Sequence, residues 1–302
     1  MELVTIGDIN WDTVILLPRF PGPDDEVELS EIYESPGGDA ANVAVAFSRL
    51  GGKAGIIGAV GTDTVGESLI SHLNRHGVDI TRVLLLKGPS GRAYSLVEPN
   101  GIRRIFYTHG VFKLRKFSDE DLKYVRNINW LYIADPLPET IQTVANWYKT
   151  NPTMPSLVLD PGSAGAARGL GFFSPLYAYI DVLLLNEFEA LTITKKTRLD
   201  DAIYVLTSNY PLVVIKRGEK GALVAYRNEI FSVPAFPVKA VDTTGCGDSF
   251  NAAFLYALTK GKSLQEAATW GNAAGALVAQ HPGAYAPRRD EIEELLAKFS
   301  RG

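Results

Sequence analysis

Residues 242–250 read DTTGCGDSF, and apolar residues then recur at the three- and four-residue spacing of a helix up to position 258. The run Gly245-Cys246-Gly247 therefore lies at a helix N-terminus. Glycines allow successive backbone amides to point toward one centre, and the helix dipole adds positive partial charge there. Such a turn binds anions, phosphate oxygens in particular. The stretch predicts a phosphate-binding turn that opens a late helix.

Asp248 lies in the first turn of that helix, beside the predicted phosphate site. Phosphoryl transfer explains a carboxylate at this place, because the attacking hydroxyl must be aligned and must lose its proton. The helix dipole is expected to lower the pKa of this carboxyl group. A second interpretation stays open, since an acidic residue also stabilises a helix start without any ligand.

Short apolar runs alternate with helical patterns along the rest of the chain, and several runs are apolar on both faces, as in strands buried in a mostly parallel sheet. The predicted strands are residues 3–7, 54–60, 130–134, 156–160, 182–186, 212–216 and 222–225. The predicted helices are residues 40–50, 63–76, 118–125, 248–258 and 263–279. This alternation predicts an α/β fold.

Two regions break the alternation and read as paired strands. Residues 14–17 and 26–33 flank a Pro/Gly-rich turn, and residues 93–97 and 102–107 flank Pro99-Asn100-Gly101, a strong hairpin signal. These four strands predict a small separate sheet, a lid drawn from about residues 13–35 and 92–108. We expect a single domain over residues 1–302 with this lid beside its main body.

Two further polar clusters follow predicted strands or turns. The sequence Pro36-Gly37-Gly38-Asp39 enters a helix that carries Asn42 in its first turn, where the amide can meet a ligand. An ordinary glycine-rich loop is the alternative. Asn10 and Asp12 follow the first strand, at the sheet edge where open α/β folds bind ligands. A solvated turn is the alternative there.

Asn186 and Glu189 form a third cluster after the strand 182–186. Side chains three residues apart lie on one side of a starting helix and can hold water on Mg²⁺. Helix capping by the same pair is the competing interpretation.

Several function classes are excluded or disfavoured by composition. The 302 residues carry a net charge of −4, which disfavours nucleic acid and anionic membranes as partners. A single cysteine excludes an intrachain disulfide, and no signal peptide or membrane-spanning run is evident, so a cytoplasmic location is expected. Residues 61–68 have the glycine spacing of a P-loop, but Glu67 replaces the lysine and would repel phosphate, so a P-loop is rejected. The absence of a Rossmann glycine motif disfavours a dinucleotide site, and the absence of G-x-S-x-G disfavours a hydrolase of that type.

Together these segments resemble the ribokinase-like (PfkB) family of carbohydrate and nucleoside kinases over residues 7–287. Residues 242–248 are similar to the family's most specific signature. Gly37-Gly38 with Asn42, and the pattern Gly58-x-x-Gly61-x-Asp63-x-x-Gly66, match its N-terminal signature. The resemblance implies a three-layer α/β/α sandwich with a mostly parallel central sheet and a small β-sheet lid.

The resemblance also implies the chemistry: ATP as donor, Mg²⁺, and a hydroxyl of a sugar or sugar-like acceptor. Asp248 becomes the base, and the amides of Gly245, Cys246 and Gly247 become the anion hole. Three further groups of residues acquire roles by position. The residues that would face the acceptor are Asn10, Asp12, Gly37, Gly38 and Asn42. Those that would bind the nucleotide are Asn186, Glu189, Lys216, Gly218, Gly221 and Asn272, with Glu189 acting on Mg²⁺ through water. A site for a monovalent cation, K⁺ in some members, is matched by Asp242, Thr244 and Gly283.

Departures from the family pattern concern mainly the acceptor. Asp39 stands where ribokinases proper carry lysine, which argues against ribose. Residues 107–110 (Tyr-Thr-His-Gly) replace a segment of Gly-Ala-Asn type, so the lid side of the acceptor pocket is not assigned. Arg92, Arg103 and Arg104 either meet a phosphate on the acceptor or are solvated.

Two rival functions remain. A nucleoside kinase on the same fold would hold a ribose with Asp12 and Asn42. A binding protein that has lost catalysis is disfavoured, because Asp248 and the glycines are intact. The donor, ATP or ADP, is left open. Open edges of the lid strands predict a homodimer.

Overall fold

The computed structural model describes residues 1–99, 102–281, 283 and 285–299. Its main feature is a nine-stranded sheet, in which strands are numbered in chain order. From one edge to the other the strands are β13 (Glu229–Val233), β12 (Ala222–Tyr226), β11 (Leu212–Lys216), β10 (Ile180–Asn186), β9 (Ser156–Asp160), β8 (Trp130–Ala134), β1 (Leu3–Ile6), β4 (Ala54–Gly61) and β5 (Asp79–Leu86). The pairs from β11 to β5 are parallel, and β12 and β13 add an antiparallel edge.

Helices cover both faces of this sheet. Side chains alternate along each strand, so Leu3 packs into the core on one face while Val4 and Ile6 pack into the core on the other. The first face carries α1 (Asp39–Arg49), α2 (Thr64–Arg75), α8 (Cys246–Thr259), α9 (Leu264–Val278) and α10 (Arg289–Phe299). The second carries α3 (Asp119–Val125), α4 (Pro138–Thr150), α5 (Gly162–Ala167), α6 (Glu187–Thr194) and α7 (Leu199–Thr207). The predicted three-layer α/β/α sandwich is confirmed.

A second sheet of four strands has the order β3-β2-β6-β7. The strands are β2 (Asn10–Leu16), β3 (Glu31–Gly37), β6 (Gly91–Val97) and β7 (Arg103–Thr108). This is the predicted lid, but the bounds expected for its first two strands, 14–17 and 26–33, were wrong. The start of β2 was missed because its first residues include the polar Asn10 and Asp12. These two side chains face a cavity, and a search for apolar runs does not detect such a strand. Asn100 and Gly101 of the predicted turn lie outside the described residues.

The two strands that the sequence patterns missed, β5 and β13, lie at the edges of the main sheet. An edge strand is only half covered, so it tolerates polar residues such as Asp79, Arg82 and Glu229. The continuous apolar runs that mark the central strands are therefore absent there. Within the described chain, no helix is long and apolar enough to cross a membrane.

Candidate active site

A cavity of about 1170 Å³ lies between the carboxyl ends of the main-sheet strands, the lid and the N-terminus of α8. Parallel strands place their carboxyl ends at one edge of the sheet, so polar residues that follow different strands meet there. Most of the predicted site residues line this cavity: Asn10, Asp12, Gly38, Asn42, Asn186, Glu189, Lys216, Gly218, Gly221, Thr244, Gly245, Cys246, Gly247, Asp248 and Asn272.

The predicted phosphate-binding turn forms the first turn of α8. Gly245 precedes the helix with φ 76°, a left-handed conformation that favours glycine. The helix begins at Cys246, two residues earlier than predicted, and the Cys246 amide donates to the Thr243 carbonyl at 3.2 Å. Among the hydrogen bonds of the described residues, none engages the amides of Gly245 or Gly247. The backbone amide of Asp248 also has no partner among the described residues, so these three amides remain available to an anion.

Asp248 is joined to the glycine turn of α1 by a hydrogen bond, because the Asn42 amide nitrogen donates to Asp248 Oδ2 at 2.8 Å. Burial raises the pKa of Asp248 to about 6, although the Asn42 bond and the nearby Lys216 ammonium oppose the rise. The expectation that the helix dipole lowers this pKa was therefore wrong, since loss of solvation outweighs the dipole here. A carboxylate with a pKa of about 6 is a stronger base than an ordinary aspartate.

The glycine turn before α1 allows close packing at the end of β1. Gly38 has φ 94°, and a methyl group at this position would lie 2.6 Å from the Asp8 carbonyl oxygen and 2.9 Å from the Asn10 amide nitrogen. Gly37 does not line the cavity, but a methyl group at this position would lie 2.0 Å from Asp12 Oδ2, so only glycine leaves room for the Asp12 carboxylate. Both glycines therefore place the backbone against the polar residues that face the cavity.

Acidic side chains dominate the end of the cavity under the lid. Burial, together with the carboxylates of Asp248 and Asp8, raises the pKa of Asp12 to about 7. Burial and neighbouring acids also raise the pKa of Asp135 to about 6, and that of Asp39 well above its usual value. Carboxyl groups with such pKa values both donate and accept hydrogen bonds near neutral pH, which suits a ligand with several hydroxyl groups.

The lid covers this end with one of its faces. Ala93, Ser95, Ile105, Tyr107 and Arg103 line the cavity. Arg104, the next residue along β7, instead stacks on the Phe20 ring at 3.5 Å. Of Arg92, Arg103 and Arg104, Arg103 alone lines the cavity within the described residues.

His109, at the base of the lid, contacts the main body through Asp8. The distance between His109 Nδ1 and Asp8 Oδ2 is 2.6 Å, and the Tyr107 ring packs edge-on against the imidazole. The hydrogen bond to Asp8 raises the pKa of His109. The segment 107–110, which the sequence left unassigned, thus joins the lid to the end of β1.

Asn186 and Glu189 form the capping box that the sequence offered as the competing interpretation. The backbone N–H of Glu189 donates to Asn186 Oδ1, and the backbone N–H of Asn186 donates to Glu189 Oε2, both at 2.8 Å. The capping role is confirmed, and both side chains also line the cavity. Burial and the Asp160 carboxylate raise the pKa of Glu189 to about 7. No group of three or more His, Cys, Asp or Glu side chains in the described residues is arranged to hold a metal directly.

The other end of the cavity is largely apolar. Phe236, Val238, Ala276 and Ala279 line it together with Asn272. The Asn272 amide nitrogen donates to the carbonyls of Val233 and Pro234, at 3.0 Å each, so Asn272 fixes the chain that leaves β13. Gly221, with φ 80°, packs against the same chain. A flat apolar ring such as adenine fits such walls.

The residues predicted to bind a monovalent cation are linked to one another by hydrogen bonds beside the cavity. Asp242 accepts hydrogen bonds from the backbone and hydroxyl of Thr244, at 2.9 and 2.8 Å, and from the Gly283 amide at 2.8 Å. Asp242 and Gly283 do not line the cavity, whereas Thr244 does. The three residues are brought together as predicted, with the Asp242 carboxylate bonded to the backbone.

Comparisons with known proteins agree with this geometry. The model of the pfkB family carbohydrate kinases matches residues 1–291. The chain belongs to this family. An ATP-dependent ribose-1-phosphate kinase of Halopiger xanaduensis is 30% identical, with 99% of each chain covered. A ribokinase of Bacillus subtilis is 28% identical, with 98% of this chain and 99% of the relative covered.

Solved structures of pfkB-type kinases share the fold. A ribokinase from Thermotoga maritima superimposes with a TM-score of 0.84 at 29% identity, over 98% of this chain and 99% of that chain. An Arabidopsis thaliana ribokinase complexed with ribose and ATP gives a TM-score of 0.82 at 26% identity, over 98% of both chains. This chain is therefore an enzyme of the sugar and nucleoside kinase class.

The residues that line the cavity of this pfkB kinase include four polar ones to which the sequence patterns assigned no role, namely Asp8, Asp135, Asp160 and Ser163. Asp160 ends a predicted strand and Asp135 follows another, so the rule that ligands bind at the carboxyl ends of strands was a sufficient signal for both. Asp135 also has φ 37°, a conformation that is strained outside glycine and is concentrated at functional sites.

Proposed function

We propose that this pfkB kinase transfers the terminal phosphoryl group of ATP to a hydroxyl of a sugar or sugar-like acceptor. The observation that carries the proposal is the hydrogen bond between Asn42 and Asp248, because it joins the glycine turn of α1 to the first turn of α8 inside one cavity. A base, a set of free amides and a group of hydroxyl-binding acids then face one space.

The acceptor hydroxyl lies against Asp248 in this proposal, and Asn10, Asp12, Gly38 and Asn42 hold the rest of the acceptor. The hydroxyl oxygen forms a bond to the γ-phosphorus while the bond from phosphorus to the β–γ bridging oxygen breaks. Asp248 receives the hydroxyl proton and ADP leaves. Charge that develops on the transferring group meets the amides of Gly245 and Gly247, with the Cys246 amide shared with Thr243.

The nucleotide occupies the remaining length of the cavity, with the ring between the apolar walls and the phosphates toward Lys216, Gly218 and Gly221. Asn186 and Glu189 would hold a magnesium ion through water, their side-chain oxygens accepting hydrogen bonds from water bound to the ion, and the ion would neutralise phosphate charge there. The Asp242, Thr244 and Gly283 loop is the proposed site of a potassium ion, which would fix the start of α8.

A nucleoside acceptor is the second candidate, and the apolar lid residues Ala93 and Ile105 favour it because they offer a surface for a base. A phosphorylated acceptor such as ribose 1-phosphate is the third form to test, because Arg103 lines the cavity and one relative is named for that substrate. The three candidate acceptors differ in the group attached to the sugar under the lid: no further group, a nucleobase or a phosphate.

The test is a panel of D-ribose, D-fructose, ribose 1-phosphate, adenosine and cytidine, each with ATP and with ADP in the presence of Mg²⁺. We expect ATP-dependent product with at least one sugar, detected by mass spectrometry. Turnover of nucleosides alone would replace the leading proposal with the second candidate. Absence of transfer to every acceptor would contradict the kinase assignment of this cavity.

We further propose that residues 1–302 act as one unit in the cytoplasm, where ATP is abundant, and that the unit forms a homodimer through its lid. The lid face opposite the cavity exposes Ile32, Tyr94 and Phe106, with exposed fractions of 53%, 37% and 58%. Covering such a face stabilises an assembly. Phe106→Asp should give a monomer by light scattering, and Tyr204→Asp, an exposed change on α7, should not.

A further inference from the structure

Lys216 ends strand β11 and extends into the cavity with two of its three N–H bonds occupied. Its Nζ donates to Asp160 Oδ2 and to Asn251 Oδ1, each at 3.1 Å. The side chain is 14% exposed and lines the cavity. An ammonium group carries three donors, so one N–H remains for a group inside the cavity.

The two partners of Lys216 are themselves fixed by buried hydrogen bonds. The Asn251 amide nitrogen donates to Asp160 Oδ2 at 2.7 Å and to the Tyr132 hydroxyl at 2.9 Å. That hydroxyl donates to Asp160 Oδ2 at 3.2 Å, and the Gly162 amide donates to Asp160 Oδ1 at 3.1 Å. Tyr132 and Asn251 are completely buried. A buried network whose polar groups are paired in this way holds its members in one geometry.

This network lies beside the anion-binding turn. A methyl group on Gly247 would lie 3.5 Å from the Lys216 ammonium nitrogen. The Gly247 amide has no hydrogen-bond partner among the described residues. The Lys216 ammonium group and the backbone of Gly247 therefore lie close together in the wall of the cavity.

Charge around Lys216 keeps it protonated. Burial alone would lower its pKa, but the carboxylates of Asp160, Glu189 and Asp248 raise it above the ordinary value. In return, Lys216 opposes the rise in the pKa of Asp248 and of Glu189. A permanent positive charge next to these three acids and the glycine turn is suited to stabilise phosphoryl charge.

We propose that Lys216 is a catalytic residue that contacts the transferring phosphoryl group in the transition state, and that Asp160, Asn251 and Tyr132 position it. The inference rests on the proposed phosphotransferase function and adds a cationic donor to its amides. Lys216 transfers no proton. It donates a hydrogen bond to a non-bridging oxygen of the γ-phosphoryl group while phosphorus forms its bond to the acceptor oxygen and loses its bond to ADP. Asp160 acts through Lys216 and does not touch the phosphoryl group.

The first test compares Lys216→Met with Lys149→Met, which removes an exposed lysine of α4 far from these contacts. Steady-state kinetics use ATP, Mg²⁺ and whichever of D-ribose, D-fructose, ribose 1-phosphate, adenosine or cytidine turns over fastest. We expect Lys216→Met to lower kcat by at least about 100-fold, with the Kd for ATP, measured by calorimetry, changed less than about threefold. Lys149→Met should match the wild type.

A pH profile separates catalysis from structural damage. Because Lys216 opposes protonation of Asp248, its removal should move the acidic limb of kcat/KM to higher pH. A loss of folded protein would lower the whole profile without moving that limb. Circular dichroism and thermal unfolding report the folded fraction directly.

The second test asks whether Asp160 works through Lys216. Asp160→Asn should lower kcat about tenfold in the wild type and should cause no further loss in Lys216→Met. Tyr132→Phe removes only a hydroxyl and should lower kcat about two- to fivefold, which provides a milder variant if Asp160→Asn unfolds. Equal losses in both backgrounds would mean that Asp160 acts independently, for example on a metal ion, and would overturn the positioning role.

Two outcomes distinguish failure of this inference from failure of the proposed function. If the wild type transfers phosphate and Lys216→Met keeps its kcat, only the inference is wrong. If the wild type transfers phosphate to none of the five acceptors, transfer of the γ-phosphoryl group to water, measured as phosphate released from ATP in their absence, replaces transfer as the readout. Lys216→Met that hydrolyses ATP at the wild-type rate then overturns the inference as well.

Discussion

Two parts of the cavity differ in how completely their polar groups are paired. One surrounds Lys216 and Asp248, and we propose it as the phosphoryl end; the other is the acidic part under the lid, and we propose it as the acceptor end. At the phosphoryl end, Asp160 accepts four hydrogen bonds, from Lys216, Asn251, Tyr132 and the Gly162 amide. At the acceptor end, the side chains of Asp12 and Asp39 form no hydrogen bond among the described residues. The difference indicates that one end is organised before any ligand arrives, whereas the other has donors and acceptors that only a ligand can satisfy.

The largest effect is expected at the residue that links the two ends. Asp248→Asn keeps the shape and the contact with Asn42 but cannot accept the hydroxyl proton. We expect kcat to fall by at least about 10²-fold, with the Kd for ATP nearly unchanged. Steady-state kinetics and calorimetry measure the two quantities. Retention of more than a tenth of the activity would show that another group serves as base.

The second effect follows from burial at the phosphoryl end. Asp248 must be ionised to act as a base, and burial raises its pKa to about 6. The value of kcat/KM should therefore fall as pH decreases through about 6, by roughly tenfold per pH unit below it. A profile that stays flat down to pH 5 would mean that the carboxyl group is not desolvated in the active enzyme.

A smaller effect is expected at the acceptor end. Asp12→Asn replaces a carboxylate that binds hydroxyl groups with an amide, so the KM for the acceptor should rise about tenfold, while the KM for ATP stays the same. Asp201→Asn, an exposed change on α7, is the matched control. An equal rise in both KM values would contradict the assignment of Asp12 to the acceptor end alone.

The smallest effect concerns the bond between the lid and the main body. The pKa of His109 is raised in the folded protein by the bond to Asp8, so the pair stabilises the fold fully below the ordinary histidine pKa and loses this contribution as pH rises past the raised value. His109→Gln should therefore cost about 1 kcal/mol at pH 6 and less at pH 9. Urea unfolding at the two pH values tests this. A cost that does not change with pH would mean that the histidine is uncharged.

Predictability also differs between the two sheets. Central strands such as β8 and β11 were predicted with their observed bounds, because burial on both faces selects uninterrupted apolar runs. Strands β2 and β3 were displaced by several residues. One face of the lid borders a cavity and the other is exposed, so polar residues such as Asp12 interrupt the pattern that marks a strand.

The sequence by itself determined the α/β class, the glycine turn at residues 245–247 that opens α8 and the place of Asp248 in the first turn of that helix. These features depend on local spacing and on the conformational freedom of glycine, which the order of residues contains. Only the tertiary structure decided that Tyr132, Asp160 and Asn251 hold Lys216, since these residues are separated by as many as 119 positions in the chain. It also decided the raised pKa of Asp248, because burial and neighbouring charge exist only once distant segments have packed together.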